Sequence, residues 1–153
     1  MGENVIRDFK PGDGKRCFEI FKAGVERDPY IPEATKKEML KIDSPQSFEE
    51  RAQQFHIVVY EENGRIISMG GLDKNEIRGM FVDPEYQGRG IGRAIIQYLE
   101  ALIPRDKYSY IFLNSTRIAE QFYVRMGYAA KGKRVFELNG QPLETIYMEK
   151  AIE

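Results

Sequence analysis

Three glycines alternate at positions 88, 90 and 92, inside the stretch Phe81-Val82-Asp83-Pro84-Glu85-Tyr86-Gln87-Gly88-Arg89-Gly90-Ile91-Gly92-Arg93. The apolar residues Ile91, Ile95, Leu99 and Leu102 follow at helical spacing. The stretch reads as a strand end, a short turn, a glycine-rich loop and the first turn of a helix. A helix that begins on glycines, with Arg89 and Arg93 beside them, presents unpaired backbone N–H groups and the positive end of its dipole. Such an end holds phosphate. A plain connector would not need all three glycines, since each weakens regular structure by roughly 0.5–1 kcal/mol relative to alanine.

The chain has 153 residues, a length that fits one domain over 1–153 with an ample core. Lys plus Arg number 23 and Asp plus Glu 24, so no global basic field draws nucleic acid. Cys17 is the single cysteine, which excludes an internal disulfide and fits a reducing compartment. No apolar run reaches the length of a membrane span. Met1-Gly2-Glu3-Asn4 lacks the basic and apolar regions of a signal peptide, so the expected location is the cytoplasm, with no membrane partner.

Val5 to Phe9 reads as a first strand, stopped by Pro11-Gly12. Asp13 is a candidate cap for a helix that buries Cys17, Phe18, Ile20, Phe21 and Val25. A second helix is predicted from about Glu33 to Ile42. Ser47-Phe48-Glu49-Glu50 reads as a capping box for a short third helix ending near Gln54. Three strands follow as an antiparallel meander: His56–Tyr60, then Arg65–Leu72 after the Asn63-Gly64 turn, then Glu76–Val82. Tyr108–Leu113 is the next strand, joined to Glu76–Val82 through the glycine-led helix. That makes a βαβ unit, so the two strands lie parallel. A helix over about Arg117 to Met126 stops at Gly127, and Tyr128–Leu138, Asn139-Gly140 and Leu143–Lys150 form a closing hairpin. The expected fold is α+β, with a mixed, mostly antiparallel sheet of about seven strands.

Other phosphate loops separate from this one. A Walker loop needs a Lys-Ser/Thr pair after its second glycine, which is missing here. A dinucleotide fingerprint needs Gly-x-Gly-x-x-Gly directly after a first strand, whereas this run is Gly-x-Gly-x-Gly in mid-chain. What the residues resemble is the GNAT superfamily of acetyl-CoA-dependent N-acyltransferases. Val82-Asp83-Pro84 followed by Gln87-Gly88-Arg89-Gly90-Ile91-Gly92 matches its central signature. Ala119-Glu120-Gln121-Phe122-Tyr123-Val124-Arg125-Met126-Gly127-Tyr128 matches a second one.

The resemblance implies a fold in which the parallel strands splay apart and admit acetyl-CoA. It implies that the pyrophosphate sits on the backbone N–H groups of Gln87, Gly88, Arg89, Gly90, Ile91 and Gly92, with Arg89 and Arg93 as candidate phosphate contacts. The pantetheine arm then runs beside Met80, Phe81 and Val82 like an added strand. Asn114 is a further cofactor contact, while Thr116 stands where the family often has asparagine. The implied reaction is attack of a neutral amine on the thioester. Tyr123 is the implied acid for the leaving thiolate, and its bland alternative is packing with Ala119, Phe122 and Met126 on one helix face. Glu76 is the base the resemblance implies, since some family members place a catalytic glutamate six residues before the position of Val82, and the register agrees: residues 76, 78, 80 and 82 share one face of an unbulged strand. The alternatives are a solvated turn glutamate and a water chain.

His56 has no second ligand to suggest a metal, and Cys17 reads as core. Lys131, Lys133 and Arg134 form a basic run, read as a solvated strand end or as a contact to the cofactor or an acidic substrate. Glu26, Asp28, Tyr30 and Glu33 are candidates for an acidic mouth. The small size favours a small-molecule amine as substrate. A peptide or protein amine, an aminoacyl or other acyl donor in place of acetyl-CoA, and a non-catalytic acyl-CoA sensor remain open. The family often dimerises, so a homodimer is also open.

Overall fold

In the computed structural model, residues 4–153 are described. The signal-peptide reading of Met1, Gly2 and Glu3 lies outside them. The elements run β1 (Asn4–Asp8), α1 (Gly14–Arg27), α2 (Glu33–Ile42), α3 (Pro45–Gln54), β2 (His56–Glu62), β3 (Arg65–Asp73), β4 (Glu76–Val82), α4 (Ile91–Ala101), β5 (Tyr110–Ser115), α5 (Glu120–Arg125), β6 (Ala129–Leu138) and β7 (Gln141–Ala151). Short 3-10 turns at Pro84–Tyr86 and Arg117–Ala119 precede α4 and α5.

The strands form one seven-stranded sheet in the order β1-β2-β3-β4-β5-β7-β6. Every neighbouring pair is antiparallel except β4 with β5. The expected α+β architecture, meander, parallel pair and closing hairpin are all present. Asn63-Gly64 and Asn139-Gly140 both hold left-handed backbone, with φ 53 and 78 then 49 and 86, which suits the twist of a two-residue hairpin.

Two apolar clusters cover the two sheet faces. On one, Ile95, Ile96 and Leu99 of α4, Tyr123 of α5 and Met126 just after it pack on Val58, Leu72, Ile77, Ile111, Leu113 and Met148. On the other, Cys17, Ile20, Phe21 and Val25 of α1 pack with Met39, Phe48, Val59, Ile66 and Met69. Burial pushes the Cys17 thiol up to about 12, so it is an inert core group as expected. Among the described residues no helix is long and apolar enough to cross a membrane.

Several boundaries differ from the sequence reading, each for a local reason. The third helix begins at Pro45, not after Ser47. Ser44 is its cap, accepting from the Ser47 N–H at 3.1 Å, while the Ser47 hydroxyl accepts from the Ser44 N–H at 2.9 Å. Pro45, with its fixed φ, suits the first helical position. Asp13 precedes α1 but makes no side-chain cap. Its carboxylate is taken by Arg7 at 2.8 Å and the Lys10 N–H at 2.9 Å. Glu49 of α3 caps α1 instead, accepting from the Gly14 N–H at 2.6 Å.

Leu102 is 41% exposed and Ile103 takes its place in the core, because α4 ends at Ala101. The strand after α4 spans Tyr110–Ser115 rather than 108–113. The last helix is shorter than 117–126, its first residues forming the 3-10 turn. It ends as expected on Gly127, at φ +98. The Tyr128 and Gly127 N–H groups close on the Tyr123 and Val124 carbonyls at 3.0 Å each, which is the Schellman pattern.

Candidate active site

The parallel seam is where the sheet opens. β4 and β5 share one residue pair, Glu76 with Phe112, backed by the Phe112 N–H to Asn75 carbonyl bond at 3.1 Å. Beyond it the strands part, leaving a wedge with Glu76 at its closed end. The wide end lies where β4 gives way to the 3-10 turn and the glycine loop.

β4 is bulged, which corrects the unbulged register. Gly71 pairs with Arg78 and Met69 with Phe81, so Gly79 and Met80 together oppose Gly70. Gly79 sits at φ +59, a conformation that glycine adopts without strain. The extra residue reverses the faces partway along. Ile77 and Met80 both pack toward α4, whereas Arg78 lies over Phe55 and Phe81 meets Phe21 edge-on at 5.3 Å on the opposite face. Glu76 therefore shares its face with Arg78 and Phe81, not with Met80 and Val82. A glycine inside a strand pattern was the available signal.

The glycine loop has the anatomy of an anion site. Gly88 and Gly90 both lie at φ +79, and a Cβ at either would meet nothing within 4 Å. Gly90 is the N-cap of α4 and supplies no side-chain cap, and the first turn holds no acidic residue. The N–H groups of Ile91, Gly92 and Arg93 thus stay available beside the helix dipole. Gly92 serves packing instead: a Cβ there would lie 3.3 Å from Met80 and from Phe122.

Asp83 anchors the entry to the loop. It accepts from the Glu85 N–H at 3.0 Å and from the Arg16 guanidinium, which also donates to the Ile66 carbonyl at 2.7 Å. Burial works to raise this carboxyl, but these two donors outweigh it and hold it below the usual range. Arg16 was not singled out from the sequence, and its distance from residue 83 left no local signal. Arg93 is exposed, whereas Arg89 folds back on Glu62 at 3.0 Å and over the Tyr86 ring. Gln87 donates to the Val82 carbonyl at 3.4 Å.

Tyr123 is buried on the α4–α5 face, edge-on to Phe122 at 5.1 Å and to Tyr128 at 5.8 Å. Its hydroxyl has no hydrogen-bond partner among the described residues, and desolvation raises it well above the ordinary phenol range. Tyr128, by contrast, donates to Glu100 at 2.7 Å.

Glu76 lies on the other face of the sheet. Burial pushes its carboxyl up, opposed by Arg78, Arg134 and the nearby Asn114 side chain. Asn114 Oδ1 is buried and has no partner among the described residues. The seam thus brings Glu76, Asn114 and the open edge of β4 together, with Tyr123 behind them.

Other candidates fall elsewhere. His56 pairs with Asp8 at 2.7 Å, and no cluster of metal-binding side chains occurs among the described residues. Asp28 is buried and accepts from the Tyr30 N–H at 2.8 Å, so it shapes a turn rather than an acidic mouth. The 131–134 run lies inside the edge strand β6 rather than at a strand end. Surface hollows lie beside α2 (Glu26, Glu33, Lys36, Leu40) and around Arg7, Arg16 and Arg65, the second next to the Arg16–Asp83 pair at the loop's entry. Neither offers the helix N-terminus and open strand edge of the seam.

Comparison with known proteins agrees with this geometry. Residues 26–151 match the family described as "Acetyltransferase (GNAT) domain". No curated protein matches the chain in sequence. Among solved structures it resembles a GCN5-related N-acetyltransferase of Rhodopseudomonas palustris, with TM-score 0.89, 24% identity and 97% and 95% of the two chains covered. It also resembles PaiA N-acetyltransferase of Thermoplasma acidophilum in complex with coenzyme A, with TM-score 0.78, 15% identity and coverage of 98% and 99%. A third is a ribosomal-protein-alanine N-acetyltransferase of Brucella melitensis, with TM-score 0.72, 20% identity and coverage of 97% and 99%. The chain belongs to the GNAT acetyltransferase family and is an acetyl-CoA-dependent acyltransferase.

Proposed function

We propose that this protein transfers the acetyl group of acetyl-CoA to a primary amine of a small molecule, by direct attack in a ternary complex. The observation that carries this reading is the wedge between β4 and β5, open toward the glycine loop and closed at Glu76. Coenzyme A supplies an activated acetyl thioester. Its pyrophosphate fits the uncapped N–H groups at Gly88–Arg93, where open space surrounds Gly88 and Gly90. Its pantetheine amides fit the unpaired edge of β4 at Met80–Val82, with Asn114 Oδ1 as a waiting acceptor. The wedge then directs the thioester toward Glu76.

The amine approaches from the Glu76 face, since α4, α5 and their apolar cluster fill the other, while the cluster under α1 leaves Glu76, Phe112 and Tyr147 half-buried. Its nitrogen bonds to the acetyl carbonyl carbon, its proton passes to Glu76, and the carbon–sulfur bond breaks. The departing thiolate takes a proton from Tyr123, whose hydroxyl has no competing partner among the described residues. A raised carboxyl is the better base for this step, because its basicity moves toward neutral pH. The oxyanion is met by a backbone N–H near Phe81 or Val82. The protein is read as one domain working in the cytoplasm.

Thiol release from acetyl-CoA across an amine panel tests this. Small amines should be turned over faster than peptides bearing the same amino group. Faster peptide turnover overturns the small-molecule reading, and acetyl-CoA binding without turnover of any amine makes the protein an acyl-CoA sensor.

A further inference from the structure

The Glu76 face carries a second feature that acetyl transfer does not require. β5 and β7 present Phe112, Asn114, Tyr147 and Glu149 toward the same side as Glu76. Glu76 pairs with Phe112, Phe112 with Glu149 and Asn114 with Tyr147. The Phe112 and Tyr147 rings lie 5.8 Å apart, and the Tyr147 hydroxyl donates to Glu149 at 2.6 Å. Over this aromatic floor lies Arg134 of β6, its guanidinium carbon 4.2 Å from the Tyr147 ring centroid.

Arg134 differs from Arg78 and Lys133. Arg78 pairs with Asp73 at 3.2 Å, and Lys133 pairs with Glu144 at 3.0 Å. Arg134 has no carboxylate partner among the described residues. Its guanidinium lies over an aromatic face, a contact that leaves its fork of N–H donors free. It is also close enough to Glu76 to oppose the rise of that carboxyl. A base and an unpaired guanidinium thus face one half-buried floor.

We propose that Arg134 is a specificity residue that binds a carboxylate on the acceptor, so that the substrates are amino-carboxylates rather than simple cationic amines. This rests on the acetyl-transfer reading above. The fork of Arg134 matches a carboxylate in two-point contact. A single negative charge suits the floor better than a phosphate dianion, because Glu76 and Glu149 lie beside it. β4 and β7 are two strand spacings apart, roughly 10 Å, so the amine and carboxylate need not belong to one carbon.

The test is thiol release with acceptors from glycine to 6-aminohexanoate, each compared with its methyl ester, and with O-phosphoethanolamine as the dianion. Acetyl-CoA binding is read separately by thermal shift. The expected result is a free acid preferred over its ester by about tenfold or more in kcat/KM, through KM. Arg134→Gln should abolish that preference without moving the acetyl-CoA thermal shift, and Arg134→Lys should restore part of it. Equal use of acid and ester overturns the proposal, as does a preference that survives Arg134→Gln, or a better rate with O-phosphoethanolamine. Turnover of neither member of any pair, with acetyl-CoA bound, also overturns it. Failure of the parent protein to bind acetyl-CoA instead overturns the acetyl-transfer reading itself.

Discussion

Tyr123 and Glu76 lie on opposite faces of the sheet beside the seam, and the role proposed for each has its own signature. A buried phenol normally finds a hydrogen-bond partner, yet Tyr123 has none among the described residues, while Tyr128 beside it has Glu100. If Tyr123 is the acid for the leaving thiolate, Tyr123→Phe lowers kcat by about 10²–10⁴-fold. The KM for acetyl-CoA and the melting temperature should hardly move, because the ring still fills its place. Unchanged turnover in that variant would remove the role.

Glu76 yields a pH signature. The acceptor must lose its own proton, so log kcat/KM should fall with slope of about one as pH drops below the amine pKa. A base that must be ionised adds a second limb, steepening the slope to about two below the Glu76 pKa. That limb lies above the ordinary glutamate value of about 4.3, since burial raises the carboxyl. Glu76→Gln should lower the rate and keep slope one throughout. The stability sign runs the other way. A folded pKa above the unfolded one means that ionisation at higher pH disfavours the fold. Above the ordinary glutamate pKa, Glu76→Gln should therefore be at least as stable as the parent.

At the scale of elements, the glycine loop separates backbone demand from packing demand. Gly90 must hold φ +79 to turn the chain into α4, and nothing crowds it. Gly90→Ala should cost about 1–2 kcal/mol in denaturant unfolding, by left-handed strain alone. It should also weaken acetyl-CoA binding, since relieving the strain turns the N–H groups away. Unchanged stability and affinity in calorimetry would refute that account. The α3 cap is a simpler case: Ser44→Ala should cost about 1 kcal/mol.

These elements also mark how far local sequence signals reach. Gln87–Gly92, the Asn-Gly turns and the Gly127 cap are local chemistry, readable wherever they occur. The capping boundary at α3 was misplaced because Ser44 and Ser47 both fit a cap, and Pro45 decides between them. The β4 bulge was missed because period-2 reading assumes every residue keeps its pair, although Gly79 was visible. Long-range partners left no pattern at all: Asp83 and Arg16 meet only in the finished fold.

For the molecule as a whole, the sheet is two halves, β1–β4 and β5–β7–β6, bridged by one residue pair at Glu76 and Phe112. The apolar cluster under α4 and α5 spans that seam from one face only, joining Ile77 of β4 to Ile111 and Leu113 of β5. A ligand that lies along β4 acts there as a missing strand, so its effect should be uneven across the sheet. At 100 times its Kd, acetyl-CoA should add about 2.7 kcal/mol to global stability. Its local effect should appear in amide hydrogen exchange. Residues 78–82 and 113–115 border the open wedge and should exchange far more slowly with the ligand bound, as should the N–H groups of Gly88 to Arg93. β1 and β2 already have strand neighbours across their paired edges and should slow only by the global increment. Uniform slowing across all strands would mean that the ligand acts on the fold without filling the seam. Slowing at 88–93 alone would mean that the phosphates dock while the pantetheine arm stays outside, and the placement of the thioester beside Glu76 would then fall.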